Sequence, residues 1–154
     1  MDKFSYVPEG YHAITPALTF RNAKNAIIWY KNVFGATEKM ILKDPSDKIV
    51  HAELLIGDSV IMVSDENPDY NRSPLSLGGN SVNLAMYVHD VDETMKKAVH
   101  NGARLVAPAT DQFYGDRVGR IEDPFGYLWI IATPQKKISP DEMQKMINEM
   151  MQAG

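Results

Sequence analysis

The chain has 154 residues, of which 44% are hydrophobic and 23% charged, and this ordinary composition predicts one globular domain over residues 1–154. Its formal net charge of −4 argues against a nucleic-acid partner, and the absence of cysteine excludes disulfides and thiolate metal ligands. Residues 1–6 lack the apolar core of a signal peptide, and no apolar run approaches the roughly 20 residues of a membrane span, so we expect a cytoplasmic protein with no membrane partner.

The elements predicted along the chain occur twice. In a first module, about residues 12–65, the strand-like run His12–Phe20 precedes a helix that ends at Gly35, and three strands follow. In a second module, about residues 82–134, the run Val82–His89 precedes a helix that ends at Gly102, and three strands follow again. This repetition predicts an α+β fold in which two βαβββ modules form a cupped, mainly antiparallel sheet with the helices outside.

Two segments lie outside the modules. Residues 66–81 are rich in Asn, Pro, Ser and Gly, which is typical of a linker. The linker is long, which indicates that part of it covers the site or becomes ordered on a partner. Ser139 and Pro140 predict the start of a C-terminal helix over about residues 139–151, whose Met and Ile side chains form one apolar stripe. The sequence leaves three roles open for this stripe: docking on the chain's own sheet, a dimer contact, or a flexible pocket lid.

Alternation along the predicted strands divides their side chains between two faces. In Ile49–Gly57, for example, Ala52 and Leu54 share an apolar face that lies opposite His51 and Glu53. We expect the apolar faces to pack on the helices and the mixed faces to line the concavity of the sheet. The polar side chains of the mixed faces are the candidate ligand-binding residues: Thr15, Thr19, His51, Glu53, Asn83 and Tyr87.

Three motifs add to the repeat. They are the helix end Trp29–Ala36, the run Phe113–Arg117 and the turn Asp123–Tyr127. Together with the paired βαβββ plan they resemble the vicinal oxygen chelate superfamily, the group of glyoxalase I, the bleomycin-resistance proteins and the extradiol dioxygenases. The resemblance covers about residues 12–134, and the tail that begins at Ser139 resembles the extension of an uncharacterised glyoxalase/bleomycin-resistance-like subgroup.

The resemblance bears on metal binding, because enzymes of this superfamily usually hold a divalent metal with His, Gln or Glu on the concave face. The four ligand positions fall on Thr15, Glu53, Asn83 and Ile130, of which only Glu53 is a good ligand. Since such metals need three or more nitrogen or oxygen donors, we expect no family-type metal centre and no cofactor. The same correspondence turns Ile130 toward the pocket, as a further candidate ligand-binding residue, and Trp129 toward the helix.

The function we predict is binding of a small organic molecule in the cup, without a metal, by a protein that the resemblance implies to be a homodimer. Phe113, Tyr114 and Arg117 are candidates to grip this ligand, since two aromatic rings and a cation favour a planar or anionic molecule. The alternative for this run is a turn in which Asp116 and Arg117 pair locally.

His51 and Glu53 are also the candidate catalytic residues. A Glu beside a His orients it or raises its pKa, which is the pairing used in general acid–base catalysis. A hydrogen-bonded polar pair in a wet cleft is the structural alternative. The second functional hypothesis is a metal-dependent lyase, isomerase or dioxygenase-type enzyme with unconventional ligands that include His51 and Glu53, and the third is a metal-free acid–base enzyme.

Overall fold

The computed structural model of the protein describes residues 5–154. The chain divides into two compact units, the first ending at Asn80 and the second beginning at Ser81. The prediction about a signal-peptide core concerns residues 1–6, of which the first four lie outside the described residues. None of the helices in residues 5–154 is long and apolar enough to span a membrane.

The first unit contains one four-stranded sheet. Its elements in chain order are β1 (Ala17–Phe20), α1 (Ala23–Phe34), β2 (Thr37–Lys43), β3 (Ile49–Ile56), β4 (Ser59–Asp65) and the short helix α2 (Pro74–Leu77). The strand order is β1-β4-β3-β2. β1 is parallel to β4, and the other two pairs are antiparallel.

The second unit repeats this plan. Its elements are β5 (Asn83–Tyr87), α3 (Val91–His100), β6 (Arg104–Asp111), β7 (Asp116–Glu122), β8 (Leu128–Pro134) and the C-terminal helix α4 (Pro140–Gln152). The strand order is β5-β8-β7-β6, with β5 parallel to β8 and antiparallel pairing elsewhere. The two βαβββ modules, their mainly antiparallel sheets and the C-terminal helix are therefore confirmed.

Side chains cap the starts of α1 and α3, and a glycine ends α1. The Asn22 side chain accepts a hydrogen bond from the backbone N–H of Asn25 and so caps α1, which ends at Gly35 with a left-handed φ of 67°. Asp90 caps α3 in the same way by accepting from Glu93 N–H at 3.1 Å. Each cap satisfies backbone groups that a helix leaves without intrahelical partners.

Each sheet has one face that is buried under a helix. In the first unit α1 packs on β1, β3 and β4, and Ala52 and Leu54 of β3 are fully buried there. In the second unit α3 packs on β6, β7 and β8, over Trp129 and Ile131, which are 4% and 0% exposed. We call the opposite side of each sheet its open face, because no helix of the same module packs there.

Two strands are shorter than predicted. β1 begins at Ala17 and not at His12, because Pro16 has no N–H to donate, although its carbonyl still accepts a hydrogen bond from Met62 N at 2.8 Å. Thr15 therefore precedes the strand instead of lying within it. β5 spans Asn83–Tyr87, so the strand predicted from Val82 to His89 was one residue too long at its start and two residues too long at its end.

Much of the predicted linker is ordered by contacts within the first unit. Ser73 is 1% exposed, and both its backbone N–H and its hydroxyl donate to one carboxylate oxygen of Glu66. Arg21 donates to the Ser76 hydroxyl at 2.9 Å and to the Leu75 carbonyl at 3.2 Å. Residues 66–78 are therefore held by contacts within their own unit.

Helix α4 buries none of its residues, in contrast to α1 and α3. The Ser139 side chain caps it by accepting from Glu142 N–H, as the sequence predicts. Met143 is half-buried, whereas Met150 and Met151 at the far end of the stripe are 52% and 79% exposed. The apolar stripe is thus partly covered near its start and uncovered near its end.

Candidate functional site

The predicted polar residues of the first module collect on the open face of its sheet. The strand register sets Glu53 beside Met40 of β2 and Met62 of β4, and it sets Thr19 beside Ser64. Since side chains two positions apart point the same way, His51 shares this face with Glu53. The structure therefore brings together Thr19, His51 and Glu53, while Thr15 lies before the strand.

Glu53 is the centre of a hydrogen-bonded cluster on this face. Its side chain is only 6% exposed, yet both carboxylate oxygens have partners. The Tyr11 hydroxyl donates to Oε2 at 2.5 Å, and Nε2 of His51 lies 3.3 Å from Oε1. We call these three side chains the Tyr11–Glu53–His51 cluster. Its hydrogen bonds allow a carboxylate to remain charged where burial alone would disfavour it.

The proton equilibria of the cluster follow from these contacts. The hydrogen bond from Tyr11 lowers the pKa of Glu53 below its usual value; burial opposes this shift, and the contact with His51 adds to it. The same hydrogen bond raises the pKa of Tyr11, because removing its proton would set two negative oxygens against each other. The ammonium of Lys39 lies 4.5 Å from the centroid of the Tyr11 ring, a favourable cation–π distance.

The sequence did not point to Tyr11 or Lys39. Tyr11 lies before the first strand and 42 positions from Glu53, so no alternation or helical spacing connects them. Lys39 belongs to the edge strand β2, whose side chains are mostly exposed, and nothing in its sequence distinguishes Lys39 from an ordinary surface lysine. Only the strand pairing and the fold of the N-terminal segment bring these groups to Glu53.

The predicted residues of the second module also share an open face. Ile130 of β8 pairs with Ala85 of β5 and with Arg120 of β7, and Asn83 and Tyr87 lie two positions to either side of Ala85. Ile130 is half-exposed on this face. Trp129 points to the helix side and donates its indole N–H to Asp123 at 2.9 Å.

Arg117 lies apart from these residues. Side chains an odd number of positions apart point to opposite faces of a strand. Arg120 lies on the open face of β7, so the Arg117 side chain lies on the helix side, where it reaches α3. There its guanidinium donates two hydrogen bonds to Asp92, at 2.8 and 3.0 Å, and a third to Asp111 at 3.1 Å. These carboxylates raise the pKa of Arg117 further above its already high ordinary value. The pairing is thus with Asp92 and Asp111 and not with Asp116, and it favours a structural role over binding of a ligand anion.

An open cavity of roughly 640 Å³ lies at the end of the second module's open face. Tyr87 and Asp116 line it from the strands, Tyr114 lines it from the β6–β7 turn, and Met143 lines it from α4. Phe113 packs edge-to-face against Tyr114, with ring centroids 5.2 Å apart. Of the predicted ligand-binding residues, Tyr87 and Tyr114 therefore meet at one cavity.

The four family ligand positions do not fit a divalent metal. Ile130 has no donor atom, Thr15 and Asn83 are weak neutral ligands, and both oxygens of Glu53 are engaged by Tyr11 and His51. Within residues 5–154 no group of three or more His, Cys, Asp or Glu side chains is placed to hold a metal ion. A metal at Glu53 would need at least two further good donors, which the other three family positions do not supply.

Comparison with known proteins agrees with this architecture. The chain is 35% identical over 136 residues to the uncharacterised protein Mb0911c of Mycobacterium bovis, covering 86% of this chain and 90% of that protein. Two solved structures, PA1353 from Pseudomonas aeruginosa and TioX from Micromonospora sp. ML1, are 27% and 26% identical, with TM-scores of 0.65 and 0.63. In both cases the match covers 80% of this chain and 98% of the other. The sequence model of one family matches residues 12–131, and the chain belongs to that family, the Glyoxalase/Bleomycin resistance protein/Dioxygenase superfamily.

Proposed function

We propose that this protein binds a small organic molecule and does so without a metal at the family's ligand positions. The observation that carries the proposal is the cavity of roughly 640 Å³ beside Tyr87 and Tyr114, whose volume lies within the range typical of small-molecule sites. Aromatic rings supply a large contact area for a ligand at low entropic cost. The polar residue Asn83, on the open face of the same sheet, is a candidate for orienting the molecule.

The proposal is supported by the chemistry of Glu53 as well as by the cavity. A carboxylate that already accepts from Tyr11 and His51 is suited to hold a neighbouring group in place and is poorly suited to ligate a metal. The metal-dependent hypothesis with His51 and Glu53 as ligands is therefore the weaker one.

A fluorescent probe tests the binding function. N-phenyl-1-naphthylamine, an uncharged aromatic molecule whose emission rises in apolar surroundings, is titrated into the protein. We expect a saturable rise with one site per chain and about tenfold weaker binding in Tyr114→Ala, since a stacked aromatic contact contributes on the order of 1 kcal/mol or more.

The matched control is Tyr70→Ala, because Tyr70 is 77% exposed and lies in the other unit. Its affinity for the probe should equal that of the unmodified protein. A titration that never saturates, or an equal loss in both variants, would contradict the proposed site.

A second candidate function is metal-free acid–base catalysis by His51. The observation that favours it is the 3.3 Å contact between Nε2 of His51 and Glu53, in a side chain that keeps 35% of its surface exposed. If Nε2 carries the proton, Nδ1 is left to accept a proton from a ligand. Nitrogen NMR of the ring gives the tautomer: an Nε2–H form that is lost in Glu53→Gln supports this role, and an Nδ1–H form excludes it.

We also propose that the protein works as a homodimer in the cytoplasm. The edge strands β2 and β6 carry apolar side chains that are 42–54% exposed: Met40, Leu42, Leu105 and Val106. Exposed apolar edge strands are typical of surfaces that pair with another chain. Light scattering coupled to size-exclusion chromatography should give twice the chain mass of 17.3 kDa, and a monomer mass would contradict the dimer.

A further inference from the structure

The cavity in the second unit is built largely by chain that follows the family region. The family match ends at residue 131, and six lining residues come later: Pro134, Gln135, Lys136, Lys137, Ile138 and Met143. These residues form one continuous segment that leaves β8 and enters α4. The wall of the cavity is therefore a feature of this chain's C-terminal segment and not of the βαβββ modules alone.

A close backbone contact fixes this segment against the β6–β7 turn. The backbone N–H groups of Gln135 and Lys136 both donate to the carbonyl of Gly115, at 2.9 and 3.0 Å. Gly115 has a φ of 100°, and a Cβ atom there would overlap the Lys136 carbonyl oxygen. Only glycine permits this approach, so the spacing between Tyr114 and the C-terminal segment is set by the backbone.

The charges around the cavity are predominantly positive. Lys136 and Lys137 line it, and Arg120 lies further along the same open face, four positions from Asp116. None of these three cations has a side-chain hydrogen bond or an ion pair with another described residue, whereas Arg104 and Arg117 are both paired with carboxylates. Asp116 is the one carboxylate in the lining. With two lysines against one aspartate, the lining carries an excess of positive charge in a chain whose net charge is −4.

We propose that this cavity selects a planar aromatic anion, with the ring against Tyr87 and Tyr114 and the negative group at Lys136 and Lys137. This inference rests on the proposed binding function and adds the chemical class of the ligand. Met143 and Ile138 supply an apolar wall for the ring, and the two lysines supply more positive charge than the single carboxylate of Asp116 offsets. A carboxylate, sulfonate or phosphonate on an aromatic ring meets these requirements.

Two probes that differ in one charged group test the inference. 8-Anilinonaphthalene-1-sulfonate is the sulfonated form of N-phenyl-1-naphthylamine, so the ratio of their affinities reports the contribution of the anion. We expect the sulfonate to bind more tightly, and the double substitution Lys136→Gln, Lys137→Gln to weaken it about tenfold while changing the affinity for the uncharged probe less than about twofold. Raising the salt concentration should weaken only the sulfonate.

The matched control is Lys96→Gln, Lys97→Gln, which removes another adjacent pair of exposed lysines from the same unit, on α3 and outside the cavity lining. It should leave both affinities unchanged. Equal loss in the two double variants would reveal a general charge effect and overturn the inference, as would equal binding of the two probes to the unmodified protein. If neither probe binds saturably, the proposed binding function itself is wrong. If both bind but the sulfonate has no advantage, only the proposed negative charge of the ligand is wrong.

Discussion

The two modules share one strand order, and each buries one carboxylate, but these carboxylates have different partners. Asp123 of the second module is 3% exposed and accepts from the backbone N–H of Phe125 and Tyr127 and from the Trp129 indole, all within six positions in the chain. Glu53 of the first module is 6% exposed; it accepts from the Tyr11 hydroxyl, and Nε2 of His51 lies 3.3 Å from its other oxygen.

The difference separates a structural role from a candidate functional one. Local, mostly backbone donors make Asp123 a brace for the turn before β8. The donors of Glu53 are two titratable side chains, one of them reaching it from outside the sheet. A buried carboxylate on an open sheet face, held by side chains that can themselves ionise, is the better candidate for ligand chemistry.

The largest effect is expected from Asp123→Ala. It removes the carboxylate that accepts from the backbone N–H groups of Phe125 and Tyr127 and from the Trp129 indole, which should lower the free energy of unfolding by about 3–5 kcal/mol. Urea denaturation measures this loss, and Glu53→Gln should cost less than half as much because its partners reach solvent more readily. Asp58→Ala, in an exposed turn, is the control. Equal costs at the two buried sites would remove the distinction between them.

The next effect concerns the cavity of the second module. Gly115→Ala forces a side chain against the Lys136 carbonyl at a φ of 100°, so the C-terminal segment must move away from Tyr114. We expect N-phenyl-1-naphthylamine to bind about tenfold more weakly and the protein to lose about 1–2 kcal/mol of stability. Gly79→Ala is the matched control, since a Cβ there meets no atom within 4 Å. Unchanged probe binding in Gly115→Ala would show that the cavity is not the site.

A smaller effect tests the Tyr11–Glu53–His51 cluster. Tyr11→Phe removes the hydrogen bond that most lowers the pKa of Glu53, so this pKa should rise toward its ordinary value of 4.5. A carboxyl whose pKa is lower in the folded than in the unfolded protein stabilises the fold at pH values above its unfolded-state pKa. The unmodified protein should lose this stability as the pH falls through the folded-state pKa of Glu53. Tyr11→Phe should lose less, because its Glu53 pKa is less lowered. Carbon NMR of the Glu53 carboxyl follows the titration. Tyr70→Phe should leave it unchanged, and so would Tyr11→Phe if the cluster does not form in solution.

The smallest effect is expected at Glu66, which orders the segment between the modules. Hydrogen bonds from Ser73 and Ser76 lower its pKa from 4.5 to about 2. Its contribution to stability should therefore be complete above about pH 4.5 and disappear as pH falls toward 2. Thermal unfolding from pH 5 to 2 should show a flatter pH dependence in Glu66→Gln. Ser73→Ala, which removes the hydroxyl that most lowers the pKa of Glu66, should also flatten the pH dependence of thermal unfolding. A pH dependence identical to that of the unmodified protein in both variants would refute this role of Glu66.

The sequence predicted the module plan because its signals are local. Caps at Asn22 and Asp90, the stop at Gly35 and the alternation along β3 each depend on a few neighbouring residues. The same alternation correctly grouped Asn83 and Tyr87 on one face. The alternation of side chains along β7 would also have placed Arg117 on the opposite face, if the residue at which β7 begins had been known.

The contacts that complete the candidate site could not be predicted in this way. Tyr11 meets Glu53 only because the N-terminal segment folds over β3, and Lys136 lines the same cavity as Tyr114 only because Gly115 lets two backbones approach. Both contacts join irregular segments that have no periodic pattern. The partners of Arg117, Asp92 on α3 and Asp111 on β6, could not be predicted either, since they lie 25 and 6 positions away in the chain.

The central claim is that the protein functions without a metal at the family's ligand positions, and elemental analysis by plasma mass spectrometry tests it most directly. Protein purified without a histidine tag or chelator is dialysed against Mn, Ni, Zn and Fe salts, with Glu53→Gln measured in parallel. The account predicts far less than one metal ion per chain in both proteins under every condition. One metal ion per chain that is lost in Glu53→Gln would contradict it and make the metal-dependent hypothesis the leading one.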